Sequence, residues 1–117
     1  MTDRRPRWVY DAGEDPDPRF SLANERTFLA WVRTALAMLA GGVALQALNL
    51  PETRWLRTSL AVLLVVLGGL VTLFAMVRWA RVERAMRTRT PLPAFSLGYV
   101  LTAAVLIGAA LLALSFL

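Results

Sequence analysis

Residues 21–44, SLANERTFLAWVRTALAMLAGGVA, decide the fold of this chain. The stretch begins with polar and charged residues, becomes mostly apolar from Phe28 onward, and is free of proline until Pro51. A long apolar run without a break is typical of a helix that enters a lipid bilayer. We expect Ser21 to cap this helix, because its hydroxyl can accept a hydrogen bond from a free backbone N–H of the first turn.

Small residues and arginines share one face of this helix. At about 100° per residue, one narrow stripe contains Ala23, Arg26, Ala30, Arg33, Ala37, Gly41 and Ala44. Small side chains in a membrane helix permit close approach of another helix, or they leave space for a lumen. We therefore predict helix contacts through Ala30, Ala37, Gly41 and Ala44. Three short membrane helices cannot bury such a face internally, so a homo-oligomer is expected.

The motif ANERTFLAW, followed by RT, small residues and GG, occupies residues 23–42. It resembles the YidH-like family of small bacterial membrane proteins (domain of unknown function 202), and nearly the whole chain fits three membrane helices of that kind. The motif is also similar to the membrane part of the eukaryotic vacuolar transporter chaperone complex, which makes polyphosphate and moves it across a membrane. The resemblance implies a multi-pass protein of the bacterial inner membrane, an assembly of five subunits, and phosphate or polyphosphate as a partner.

The composition indicates one membrane domain. The chain has 117 residues, of which 57% are hydrophobic and 18% charged. All 13 basic residues are arginine, whose planar fork suits phosphate, although a GC-rich genome would also favour arginine over lysine. The chain has no cysteine or histidine, which excludes a thiol nucleophile, disulfides and the usual zinc sites.

The fold class expected is all-α, with three transmembrane helices. Residues 1–20 lack apolar periodicity and are predicted to form a flexible cytosolic arm that is disordered or loosely docked. The apolar residues 8–10 within it are either incidental, inserted into the lipid interface or docked on a partner protein. Residues 21–117 form the membrane domain. Its helices are expected at about 22–49, at 59–88 with a cytosolic extension after the apolar part, and at 95–117.

The distribution of arginine predicts the orientation of the chain. The loop after the second helix is rich in arginine, whereas the loop after the first helix has only Arg54 and Arg57. Because cytoplasmic loops carry the excess of positive residues, the N-terminus is predicted inside and the C-terminus outside. The five arginines of the second loop are Arg78, Arg81, Arg84, Arg87 and Arg89.

No pattern of catalytic residues is present. The sequence has no paired carboxylates within the membrane and no glycine-rich phosphate loop, so we expect neither an enzyme nor a cofactor, a metal or a nucleic acid partner. The apolar parts of the second and third helices contain no acidic residue or histidine, which argues against proton-coupled transport.

Several charged residues have two interpretations. Arg33 either extends to the lipid headgroups, or it pairs with an acid or lines a wet lumen with Arg26. Asn24 and Glu25 suit the positive start of a helix, but Glu25 could also form an ion pair with Arg81 or Arg84. The arginines after the second helix contact either anionic headgroups or a soluble polyanion.

Two functional hypotheses follow. In the first, the protein is an oligomeric anion conduit lined by Arg26 and Arg33, with phosphate or polyphosphate as the anion. In the second, it is a non-conducting membrane scaffold or accessory subunit that docks another protein through its arm.

Overall fold

The computed structural model describes residues 3–94 and 96–117, apart from the side chain of Leu97. Within these residues the regular structure is entirely helical, which confirms the all-α prediction. The elements are α1 (Arg7–Tyr10), α2 (Pro18–Leu48), α3 (Arg54–Thr88) and α4 (Ser96–Ser115). Each of α2, α3 and α4 is long and apolar enough to span a membrane, as predicted.

The first long helix begins earlier than expected. Asp17 caps α2 by accepting a hydrogen bond from the backbone N–H of Arg19 at 2.9 Å, and Pro18 occupies the first helical position. Proline is favoured there because its missing N–H would have no partner in a helix. Ser21 therefore lies inside the helix, and the expectation that it forms the cap is wrong.

Helix α3 is one continuous rod of 35 residues. It begins at Arg54, five residues before the predicted start, because nothing after Pro51 breaks a helix. At 1.5 Å per residue it is roughly 52 Å long, so it extends well beyond a hydrocarbon core of about 30 Å. Its last turns stand beside the start of α2 and the arm, at what we call the arm end of the molecule.

Helices α2 and α3 pack through glycines. A Cβ added to Gly42 would lie 3.1 Å from the carbonyl oxygen of Ala61, and one added to Gly68 would lie 3.0 Å from that of Ala35. Both distances are tighter than ordinary packing, so the two backbones need glycine at these points. The seam between α2 and α3 is completed by buried Met38.

Helix α4 is held more loosely. Leu101 packs against the small core of α2 and α3, but farther along an apolar groove of about 410 Å³ separates the three helices. Little of the apolar span of α4 is buried within the chain. Its surface is therefore left for lipid or for another chain.

Candidate functional site

A buried carboxylate joins α3 to α2 at the arm end. Glu83 is 4% exposed; its Oε1 accepts a hydrogen bond from the Ser21 hydroxyl at 2.7 Å. The side-chain amide of Asn24 donates to Oε2 of Glu83 at 3.3 Å and to the carbonyl oxygen of Trp79 at 3.0 Å. We call Ser21, Asn24, Trp79 and Glu83 the Glu83 cluster. Because two residues of α2 donate to acceptors on α3, the cluster fixes the position of one helix along the other.

Glu83 is not among the site residues predicted from the sequence. Its signal is visible, since it is the single acid in RWARVERAMRT, residues 78–88. The interpretation of Asn24 also changes, because this side chain is only 5% exposed and lies in the seam. The structure therefore does not place Asn24 on the surface that carries Arg26 and Arg33.

Arg87 attaches the arm to α3. Its Nε donates to the carbonyl oxygen of Ala12 at 2.8 Å, its Nη2 to that of Tyr10 at 2.8 Å, and its Nη1 to Oδ1 of Asp15 at 2.6 Å. The side chain is 5% exposed, so these oxygens satisfy a guanidinium that is nearly removed from water. Such a fork of directed bonds holds the arm in one place.

Side-chain packing adds to this attachment. Val9 is fully buried, and the ring of Tyr10 lies 6.3 Å from that of Trp79 between centroids. Arg84 donates to the carbonyl oxygen of Trp8 at 2.6 Å and stacks over the Trp8 ring at 4.7 Å. The described part of the arm is thus docked on α3.

Gly13 lets the arm approach the last turn of α3. Its φ is +52°, a left-handed conformation that favours glycine, and an added Cβ would collide with the carbonyl oxygen of Arg87. The same oxygen accepts a hydrogen bond from the backbone N–H of Glu14 at 3.0 Å. The arm therefore satisfies a carbonyl that the helix end would otherwise leave free.

Asp15 connects two arginines. Hydrogen bonds from Arg4 and then from Arg87 hold the pKa of the Asp15 carboxyl below its ordinary value of 3.8. Arg4 lies 2.8 Å from this carboxylate and stacks over the ring of Tyr10 at 4.7 Å. The ionised form of Asp15 is consequently the form that favours docking.

The arginine face of α2 points away from the seam. Arg33 follows Asn24 by nine residues, or about two and a half turns, so the two side chains leave opposite sides of the helix. Arg26 and Arg33 are exposed, and neither forms a hydrogen bond or ion pair with any residue that the structure describes. Of the predicted contact residues, Gly41 is half-buried against Leu64, whereas the others are exposed, namely Ala30, Ala37 and Ala44.

The ion pair considered for Glu25 does not form among the described residues. Glu25 is exposed, and the structure gives it no bond with Arg81 or Arg84. For Arg84 the reason is that its side chain is directed to the arm, where it contacts Trp8.

The similarity to a known protein family covers most of helices α2 and α3. A family model described as "Domain of unknown function (DUF202)" matches residues 19–85, which include α2 and most of α3. The chain belongs to this family. It is 53% identical over 83 residues to "Inner membrane protein YidH" of Escherichia coli K12, covering 69% of this chain and 71% of the relative.

A mycobacterial relative extends the similarity further along the chain. "Uncharacterized protein Rv2272" of Mycobacterium tuberculosis is 46% identical over 103 residues, covering 86% of this chain and 84% of the relative. No solved structure matches the chain. Together with the three apolar helices, these similarities establish a multi-pass inner-membrane protein.

Proposed function

We propose that this protein is a non-enzymatic homo-oligomer in which the arginine face of α2 lines a path for anions. The observation that carries the proposal is Arg33, an exposed guanidinium on a membrane-spanning helix that pairs with no described residue. Arg33 lies five residues, or about 7 Å, beyond Phe28, where the apolar part of the helix begins, and an arginine at this depth costs on the order of 1–3 kcal/mol by insertion scales. A wet axis between subunits would remove most of this cost.

The spacing of the arginines suits a lumen. Arg26 and Arg33 are seven residues apart, so they lie on one side of α2 and about 10 Å apart along its axis. Symmetric copies would form two stacked rings of positive charge, which is how anion-selective passages are built. Ala30, between the two rings, and Ala37, beyond the second, are exposed and too small to fill such a space.

Phosphate or polyphosphate is the anion we propose. Guanidinium groups bind phosphate oxygens through two parallel hydrogen bonds. The polymer, and an assembly of five subunits, rest on the resemblance of residues 23–42 to the membrane part of the polyphosphate-translocating complex. The lipid bilayer is the other partner, and the proposal needs no cofactor.

Flux through liposomes tests the proposal. Purified protein should conduct chloride and phosphate above the level of empty liposomes, and Arg33→Ala should lower this flux at least tenfold while the protein still inserts. Arg33→Glu should reverse the preference from anions to cations, because it reverses the sign of the ring. Arg54→Ala is the matched control, since it removes an exposed arginine that lies at the opposite end of the molecule.

Two results would contradict the conduit. The first is wild-type flux equal to that of empty liposomes for chloride, phosphate and short polyphosphate. The second is Arg33→Ala flux equal to wild type, which would mean that Arg33 only reaches the headgroups. The scaffold hypothesis would then take precedence, and its docking surface would include the Trp8 side of the arm, which remains 53% exposed after docking.

A further inference from the structure

The arginines along the last turns of α3 divide into two pairs. Arg84 and Arg87 hold the arm through its backbone carbonyl oxygens. Arg78 and Arg81 make no hydrogen bond or ion pair within the described parts of the chain. The Nε of Arg78 is buried without an acceptor among the described residues, as is the Nε of Arg57 at the opposite end of the molecule. The other nitrogens of Arg78 are not buried in this way, so an anion can reach them, and guanidinium groups form their strongest hydrogen bonds with charged oxygen acceptors.

The surroundings of this pair show what kind of anion fits. Arg78 and Arg81 border a small cavity of about 70 Å³, roughly five times the volume that a single water needs. The other lining residues lie on an apolar stretch of α3, just before α4 and at the first residue of α4, namely Phe74, Val77, Pro93, Ala94 and Ser96. Charge and apolar surface therefore meet at one place.

We propose that Arg78 and Arg81 bind the phosphate group of an anionic phospholipid. Phe74, about one turn before Arg78, and Val77, directly before it, are about half exposed and belong to the apolar run that spans the membrane. A lipid would place its phosphate on the arginines and its acyl chain along these two side chains. A free phosphate would satisfy the arginines but would leave Phe74 and Val77 uncovered. The continuous apolar surface below the arginines thus favours the lipid.

This site is separate from the proposed anion path. It lies on α3, whereas the path is formed by Arg26 and Arg33 on the far side of α2 from the seam. Either proposal can fail without the other.

Native mass spectrometry of the purified protein tests the site. Protein in a non-ionic detergent is titrated with phosphatidylglycerol or, in parallel, with phosphatidylcholine, and the number of retained lipids per chain is counted. We expect one retained phosphatidylglycerol per chain and much weaker retention of phosphatidylcholine. An arginine at an anionic surface contributes on the order of fivefold in affinity, so Arg78→Gln with Arg81→Gln should weaken retention of phosphatidylglycerol at least tenfold.

Arg89→Gln is the matched control. Arg89 lies at the same end of α3 and loses the same charge, but its side chain is largely in solvent and is not part of the cavity. An equal loss with Arg89→Gln would show a diffuse positive surface and would overturn the site. So would equal retention of phosphatidylcholine, or displacement of the lipid by excess inorganic phosphate. If the double variant fails to fold, Arg78→Gln alone should still give about a fivefold loss.

Discussion

Replacing Asn24 by alanine should loosen α2 from α3. The change removes two hydrogen bonds, one to the carbonyl oxygen of Trp79 at 3.0 Å and one to Glu83 at 3.3 Å. A hydrogen bond between neutral groups contributes about 0.5–1.5 kcal/mol net to stability, and a hydrogen bond to a charged group contributes about 1.5–3 kcal/mol. The bond to Glu83 is long, so its contribution is taken at the lower end of that range, about 1.5 kcal/mol. Ser21 still donates to the carboxylate, so the free energy of unfolding should fall by about 2–3 kcal/mol.

Unfolding in mixed micelles measures this loss. The fraction of sodium dodecyl sulfate is raised while far-ultraviolet circular dichroism follows the helices. Glu25→Ala is the matched control, because Glu25 is the exposed neighbour and its loss should change the free energy of unfolding by no more than about 0.5 kcal/mol. In a Glu83→Ala background, Asn24→Ala should cost about 1 kcal/mol less than in the wild type. Equal stability of Asn24→Ala and Glu25→Ala, or strictly additive costs, would refute the cluster as the link between the helices.

Four further predictions concern the arm, the orientation and the assembly. Gly13→Ala should detach the arm, since the left-handed conformation alone costs alanine about 1–2 kcal/mol and the added Cβ meets α3; faster hydrogen exchange in residues 3–17 would show it. The pKa of Asp15 is lowered by docking, so its contribution to docking is complete above pH 3.8 and is lost as the pH falls through the lowered pKa; arm protection that is unchanged at pH 3 would contradict this. Because the chain has no cysteine, Glu52→Cys should react with an impermeant thiol reagent added outside intact cells, and labelling only after lysis would reverse the predicted orientation. In the proposed conduit, Ala37→Leu should narrow the path and lower anion flux while the oligomer stays intact in native mass spectrometry, and Ala103→Leu on the exposed side of α4 should change neither; dissociation by Ala37→Leu would show that this face is a helix contact and not a lumen.

The three membrane helices could be predicted from local sequence. Residues 59–77 are uncharged and lack proline, and such a run has few alternatives to a membrane helix. The ends of the helices were less well predicted, because apolar periodicity does not extend to the caps. The start signal of α2 is the pair Asp17–Pro18, an N-cap acid followed by proline, and it lies well before the apolar run begins.

The docked arm could not be predicted in the same way. Two of the three acceptors of Arg87 are backbone carbonyl oxygens, at Tyr10 and Ala12, and every residue type carries such a group. Glu83 is an intermediate case. Its position among arginines is visible in the sequence, but its partners become evident only once an antiparallel pair of helices brings the end of α3 to the start of α2.

The family motif, residues 23–42, thus contributes side chains to two opposite surfaces of α2. Asn24 faces α3, and Arg33 leaves the opposite side of α2 two and a half turns later. Because a helix is stiff over this distance, the bonds of Asn24 set the direction in which Arg26 and Arg33 point. In the proposed conduit, Asn24→Ala should therefore reduce anion flux without removing any charge from the path. In a scaffold, the same change would reduce stability alone. Flux and stability should therefore be measured together on this variant. A loss of stability alone would mean that the seam only holds α2 against α3, whereas a loss of both would mean that it also positions the arginines.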